Sequence, residues 1–389
     1  MTRCRPFTSW RCVEAETLRK IVPGSPRPEP EAHEAWLHFQ SFLLAPDWSI
    51  AVQLHRPTGF IELWLRLAVL NHRVGENSKT RCWDGASDKV SVVLEENPMI
   101  LITGATGNVG SEVVKILSRQ KHRARAFVRR TSKARPIALP GIELVEGDFA
   151  QPDTIARSLE GVDRLFLLIP SSSQVEPQQR HFVDAAKRSG VKHIIKLSQL
   201  GADTRSTGRF QRYHGAVEDY IRESSLQYTV LRPNLFMQGL LNFRAVIAAQ
   251  GAFYVAAGDA RVSIVDVRDI AAIAALALTD PGHEGKVYEI TGPESLTHTE
   301  MADRLSAAVG KTVKYVNISR DSMREALIGL GMPEWQADGL VEDYDLYRRG
   351  EAAKVTTTVR DVTGIAPIAF SQFARDYADA FRGKAVGAS

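Results

Sequence analysis

Cysteine is scarce in this chain of 389 residues, and its three copies (Cys4, Cys12 and Cys82) all fall within residues 1–98. Residues 99–389 therefore carry no disulfide framework, no thiolate zinc spacing and no redox pair, and a cytoplasmic location is expected. No apolar run reaches the ~20 residues that a membrane span needs. The opening MTRCRPFTSWRC also lacks the apolar stretch of a signal peptide. An excess of one charge is missing as well: 49 Lys and Arg stand against 45 Asp and Glu, a net +4 with no basic run. Such a balance gives no support to a nucleic-acid or membrane partner.

Tryptophan nearly deserts the larger part, where only Trp335 lies beyond residue 98. In residues 1–98 no repeat is visible, and helix-like pieces such as 60–70 are short and interrupted by Glu62 and Arg66. Two readings stay open for that segment, an extension or a small helical module. An extension, either poorly ordered or a misassigned start, is expected, because Met99 stands where the first strand begins. Residues 99–389 suffice for one large α/β domain with a smaller lobe.

What is present is concentrated in residues 99–117, MILITGATGNVGSEVVKIL. A short apolar run ends at Gly104, and glycines recur at 107 and 110. A helix pattern follows, with Val113, Val114 and Leu117 on one face. Strand, glycine turn and helix in that order build a dinucleotide site. Gly104 permits the tight turn, Gly107 admits a pyrophosphate close to the backbone, and Gly110 lets helix and strand pack. Thr106, Asn108 and Val109 complete the loop. The phosphates would sit on unpaired N–H groups at the positive end of the helix.

From Met99 onward strands and helices alternate, the pattern of an α/β fold with a Rossmann-type, doubly wound parallel sheet. Strands are expected over 124–129, 142–146, 162–169, 192–197, 228–231, 262–267 and 287–290, and helices over 174–189, 210–224 and 270–278. After Pro293 the chain reads as mostly helical (299–309, 322–330, 334–347, 371–381), a smaller C-terminal substrate lobe. The second strand ends in Arg129-Arg130, without the carboxylate that receives the ribose 2′-OH of NAD(H). A guanidinium is a planar charged fork matched to a 2′-phosphate, so NADP(H) is the expected cofactor. Asp148 and Phe149, ending the third strand, are placed toward the adenine, and Pro170, ending the fourth, toward the nicotinamide ribose. No metal site is expected.

GATGNVG, AFVRR, EGDF, KLSQLGA, QYTVLRPNLFMQ, VDVRDIA and the late GEAAKVTTTVRDVTGIAPIAFSQFARDYA together resemble the NmrA-like branch of the atypical short-chain dehydrogenase/reductase superfamily. The likeness runs from Met99 to the C-terminus. It implies NAD(P)H-dependent reduction of quinones, azo compounds or phenylpropanoids, or else a regulatory member that binds dinucleotide without catalysis. In this superfamily a Tyr donates a proton, and a Lys one helical turn later lowers its pKa and holds the ribose. The matching positions here are Phe210 and His214, with Tyr213 one residue off that face. His214 coincides with the lysine of the phenylpropanoid reductases. It is expected to hold the ribose or donate a proton as an imidazolium favoured by Glu218. Ser198 matches the serine that bonds a substrate oxygen.

Chemistry narrows the acceptor. Hydride addition to a simple ketone makes a basic alkoxide that needs a nearby acid, whereas a quinone yields a delocalised anion that water can protonate. The expected function is an NADPH-dependent oxidoreductase acting on a quinone-like or other conjugated small molecule; the alternative is a non-catalytic NADP(H) sensor. The substrate pocket is expected after the sixth strand, at Asn234, Phe236 and Met237, with Phe243. Asp266 and Asp269 read as structural, capping the helix near Ile270. A monomer or homodimer is expected.

Overall fold

The computed structural model describes residues 98–383, so all but the last residue of the expected extension at 1–98 lies outside the described residues. The first strand, β1 (Ile100–Ile102), is three apolar residues with no exposed surface. Ile100 and Ile102 join the core on one side of the sheet and Leu101 the core on the other, as a period of two requires. Full burial of each side chain contributes roughly 1.5–3 kcal/mol. A strand buried on both faces needs helices on both, and the chain supplies them in alternation.

After β1 come α1 (Asn108–Arg119), β2 (Ala124–Val128), β3 (Ile142–Glu146), α2 (Pro152–Ser158), β4 (Arg164–Leu167) and α3 (Val175–Arg188). These lead to β5 (His193–Leu197), α4 (Arg209–Glu223) and β6 (Gln227–Pro233). Then follow α5 (Arg244–Gln250), β7 (Ala252–Val255), α6 (Val267–Thr279), β8 (Lys286–Ile290), α7 (His298–Val309), β9 (Lys314–Asn317), α8 (Arg320–Gly329) and α9 (Glu334–Arg348). Seven strands form one parallel sheet in the order β3-β2-β1-β4-β5-β6-β8. Helices α1 and α6 pack together on one face, α3 and α4 on the other. The order reverses between β1 and β4, which opens a crevice beyond their carboxyl ends.

The C-terminal lobe has its own core, where Phe253, Phe370, Phe373 and Phe381 are wholly buried. There β7 and β9 pair as a separate two-stranded parallel sheet that the sequence pattern does not reveal. The strand expected over 262–267 is absent. Val262 donates its amide to Leu296, Ser263 to Ala352 and Val265 to Leu235, so successive residues serve different partners and no ladder forms. Only isolated bridges remain. Asp266 instead caps α6, its side chain accepting from the amide of Arg268. Arg209 joins the lobe to the sheet layer: its amide and guanidinium both donate to Glu342 of α9, at 2.7 Å each.

Candidate active site

The glycine loop leaves β1 through Gly104, which adopts φ +62°. A Cβ there would stand 2.7 Å from Leu168 Cγ, so both the conformation and the space require glycine. Thr103 Oγ1 bonds the carbonyls of Phe166 and Leu168, fastening the loop to the end of β4. Gly107 is the N-cap of α1, with no side-chain cap and no acid in the first turn. The helix therefore presents its positive end uncompensated. A Cβ on Gly110 would lie 2.2 Å from Gly104 O, which is how α1 comes so near the loop. Thr106, Gly107 and Asn108 are exposed, while Val109 and Gly110 are buried. This cradle, which a Cβ would fill, suits a pyrophosphate.

At the end of β2, Arg129 and Arg130 are exposed. The carboxylate near them is Glu146 of β3, and it already accepts from the amide and hydroxyl of Thr131. Asp148 accepts from the amide of Ala150 at 2.9 Å. The Phe149 ring packs 5.2 Å from Phe127 and 6.1 Å from Phe182.

A cavity of about 920 Å³ lies beyond the carboxyl ends of β4, β5 and β6 and reaches Asn108 of the glycine loop. Of the residues singled out above, Asn108, Pro170, Ser198, His214, Asn234, Phe236 and Phe243 line it. Met237 does not, which corrects the expected pocket. Its amide donates to Val265 O, and its fully buried side chain turns into the C-terminal core. Asn234 lines the cavity as a strut. Its amide nitrogen donates to Ser263 Oγ and Ala352 O, and its oxygen accepts from Leu235.

The expected His214–Glu218 pair does not form. Glu218 has no exposed surface and takes a two-pronged contact from Arg232 on β6, at 3.0 and 2.6 Å. It also accepts from Arg222 at 2.8 Å and from Ser198 Oγ at 2.5 Å. A planar guanidinium matches a carboxylate better than one imidazole N–H can. Ser198 thus spends its proton on Glu218 and has none for a substrate oxygen. His214 Nδ1 instead lies 3.0 Å from Nζ of Lys196, a wholly buried lysine on β5 that also donates to Leu197 O. Burial, with Lys196 and Arg232 beside it, holds His214 well below its ordinary 6.5. Burial likewise pulls Lys196 down to about 7, against the attraction of Glu218. His214 is therefore a neutral ring. While Lys196 is an ammonium, Nδ1 can only accept from it, and the ring hydrogen then sits on Nε2.

Phe210 faces away from the cavity. Its Cε1 and Cζ atoms lie 2.4 Å from where a Cβ on Gly339 of α9 would stand, and its ring is 5.5 Å from that of Trp335. Tyr213 lines the cavity instead, stacked 4.1 Å from the His214 ring, with its hydroxyl 2.9 Å from Ser171 Oγ. Burial pushes the Tyr213 phenol up, so it keeps its proton.

The NmrA-like family matches residues 96–362. The chain belongs to that family. It is 40% identical over 283 residues to an NAD(P)H azoreductase of Xenophilus azovorans, covering 73% of this chain and 99% of the relative. Its fold matches the NADPH complex of an Escherichia coli quinone oxidoreductase with a TM-score of 0.65 and 32% identity, over 72% of this chain and 99% of the other. It also matches the NADP(H) complex of a Citrobacter triphenylmethane reductase, with a TM-score of 0.65 and 30% identity over the same shares.

Sequence reasoning missed Lys196, Tyr213 and Asp343. A lysine inside HIIKL was a visible signal, because a charge in an otherwise apolar parallel strand has to be explained by a partner. Asp343 on α9 is 4% exposed and lines the cavity from the far lobe. No local motif announces it.

Proposed function

We propose that residues 99–389 form an NADPH-dependent oxidoreductase that passes hydride to a quinone-like or other conjugated small molecule. The observation that carries this reading is the cavity beside the glycine loop, whose nearest donors are neutral. Tyr213 and His214 can offer hydrogen bonds to a developing oxyanion or nitrogen anion, but neither is an acid near pH 7. That suits acceptors whose reduced anion is delocalised, and disfavours simple ketones. The reductase activities named for the relatives above agree with it.

In this reading the backbone of Gly104, Thr106, Gly107, Asn108, Val109 and Gly110 holds the pyrophosphate. Arg129 and Arg130 receive the 2′-phosphate, and Asp148 and Phe149 border the adenine. Pro170 and the Nε2–H of His214 orient the nicotinamide ribose, with Lys196 fixing the His214 tautomer. When bound, NADPH supplies the hydride. Phe236 and Phe243 exclude water from the acceptor side, and Ser198 steadies Glu218 rather than the substrate. Residues 1–98 contribute nothing to cofactor binding. Among the described residues no helix is long and apolar enough to cross a membrane, and a body without cysteine suits the reducing cytoplasm.

The test is NADPH consumption by the full chain against quinones, azo compounds and simple ketones. Turnover of the first two, with none of the ketones, is expected. Tight NADPH binding with no turnover of any acceptor would replace this reading with that of a cofactor sensor.

A further inference from the structure

Asp343 is a buried carboxyl in the wall of the cavity, and its only hydrogen bond is from Gln199 Nε2 to Oδ2, at 3.0 Å. Its Oδ1 has no partner. The groups packed around it bring no cation. On α9 itself they are Glu342, Tyr344 and Tyr347, and Glu342 is held by Arg209. From α4 comes the phenol of Tyr213, already paired with Ser171. A Cβ on Gly208, at the start of α4, would stand 3.8 Å from Oδ1, but glycine offers no side chain there. The amide that follows, of Arg209, is taken by Glu342. A buried carboxylate left in that state is costly unless a proton or a positive charge meets it. Burial and the nearby Glu342 push the Asp343 carboxyl up to about 7. Because Gln199 donates to Oδ2, the proton belongs on Oδ1, the oxygen without a partner. Asp343 is thus an O–H donor that nothing in the protein satisfies.

We propose that Asp343 is the catalytic acid of the reductase, giving its Oδ1 proton to the end of the conjugated acceptor that lies away from the nicotinamide. This rests on the reductase reading and deepens it. The glycine cradle belongs to the sheet layer, whereas Asp343 lines the cavity from α9 of the other lobe. In the step, the C–H bond of the dihydronicotinamide breaks and its electron pair binds that hydrogen to the near end of the acceptor. The π electrons shift to a heteroatom at the far end, which takes the proton as the Oδ1–H bond breaks. The nicotinamide is oxidised and the acceptor reduced, and water returns a proton to the Asp343 carboxylate once the product leaves. Conjugation is then needed for a second reason, since in a simple ketone the oxygen sits on the carbon that receives the hydride. The acid that Phe210 does not provide on α4 comes from the opposite wall.

The experiment uses the full chain and a series of benzoquinones, from chloro- to methyl-substituted. Wild-type kcat/KM is expected to fall as pH rises through about 7, because the carboxylate has no proton to give. Asp343→Asn should remove that fall. It should also lower kcat by ~10²-fold or more for the methyl-substituted quinones, whose reduced anions are more basic, and by less for the chloro-substituted ones. A second measurement needs no turnover: calorimetry without NADPH compares benzophenone with diphenylmethane, which lacks only the oxygen. Benzophenone should bind more tightly and lose its advantage as pH rises through about 7, while diphenylmethane stays constant. Wild-type turnover with a flat pH profile, or equal binding of the two probes at every pH, overturns the proposal without a variant. So does a loss in Asp343→Asn that is confined to KM or is the same along the series. If no quinone consumes NADPH, the reductase reading fails and the catalytic role falls with it, whereas turnover with a flat profile removes this proposal alone.

Discussion

Replacing Lys196 by methionine separates the electrostatic role of this side chain from its packing. Methionine keeps an unbranched chain of similar length in a site with no exposed surface, but it removes the ammonium that meets Leu197 O and His214 Nδ1. The amine falls from 10.5 to about 7 on folding. The unfolded chain therefore holds a proton up to about pH 10.5 that the folded chain releases near 7. Between those values the unfolded state binds more protons, so stability rises with pH. Below about 7 both states are charged and the full cost of the buried ammonium is present. At 1.36 kcal/mol for each pKa unit, the window is worth roughly 5 kcal/mol, of which about 4 falls between pH 7 and 10. The variant has no such term. Urea unfolding followed by circular dichroism at several pH values should show the wild-type curve climbing relative to the variant by about that amount. Titrating groups that do not interact with Lys196 cancel in the comparison. Parallel curves would mean that Lys196 keeps its charge in a compensated site, and the downward shift assigned to its amine would be refuted.

Arg129→Asp should move the preference from NADPH toward NADH by ~10- to 100-fold, the value of a charged hydrogen bond gained or lost; titration of both cofactors checks this, and equal affinities in the parent would remove the basis for it. His214→Ala should lower kcat by ~10-fold, as expected for one positioned hydrogen bond, with little change in NADPH affinity; steady-state rates with a quinone would refute the neutral-donor role if they fell by the ~10²-fold or more typical of a lost general acid. A chain beginning at Met99 should remain soluble and bind NADPH as the full chain does, and loss of binding would make residues 1–98 part of the domain.

The sheet and the glycine loop were legible because they rest on local rules. A three-residue apolar strand, three glycines at fixed spacing and a helical stripe each constrain the backbone within a few residues. That the strands run parallel followed from their alternation with helices. The side-chain pairing around α4 was not legible, because it is decided across the fold. Residues 214 and 218 share a helix face, yet Arg232 on the strand below captures Glu218, and the lysine that reaches His214 comes from β5. Met237 has the composition of a pocket residue, and only the turn that starts there points it inward. Asp343 lies 144 residues from the glutamine that binds it, a distance over which sequence pattern carries no signal. The missing strand at 262–267 has the same cause, since its partners come from three separate segments.

The contact between Phe210 and Gly339 makes the loss of the superfamily's acid hard to undo by descent. The ring fills a notch in α9 that exists only while residue 339 has no side chain, and Cζ, the carbon a tyrosine would hydroxylate, is one of the two nearest to that notch. A tyrosine at 210 would carry its oxygen on a ring carbon that already lies against Gly339 of α9, at the join between lobe and sheet. In this chain the packing of α4 against α9 and the residue type at 210 are thereby tied together, so that neither changes alone.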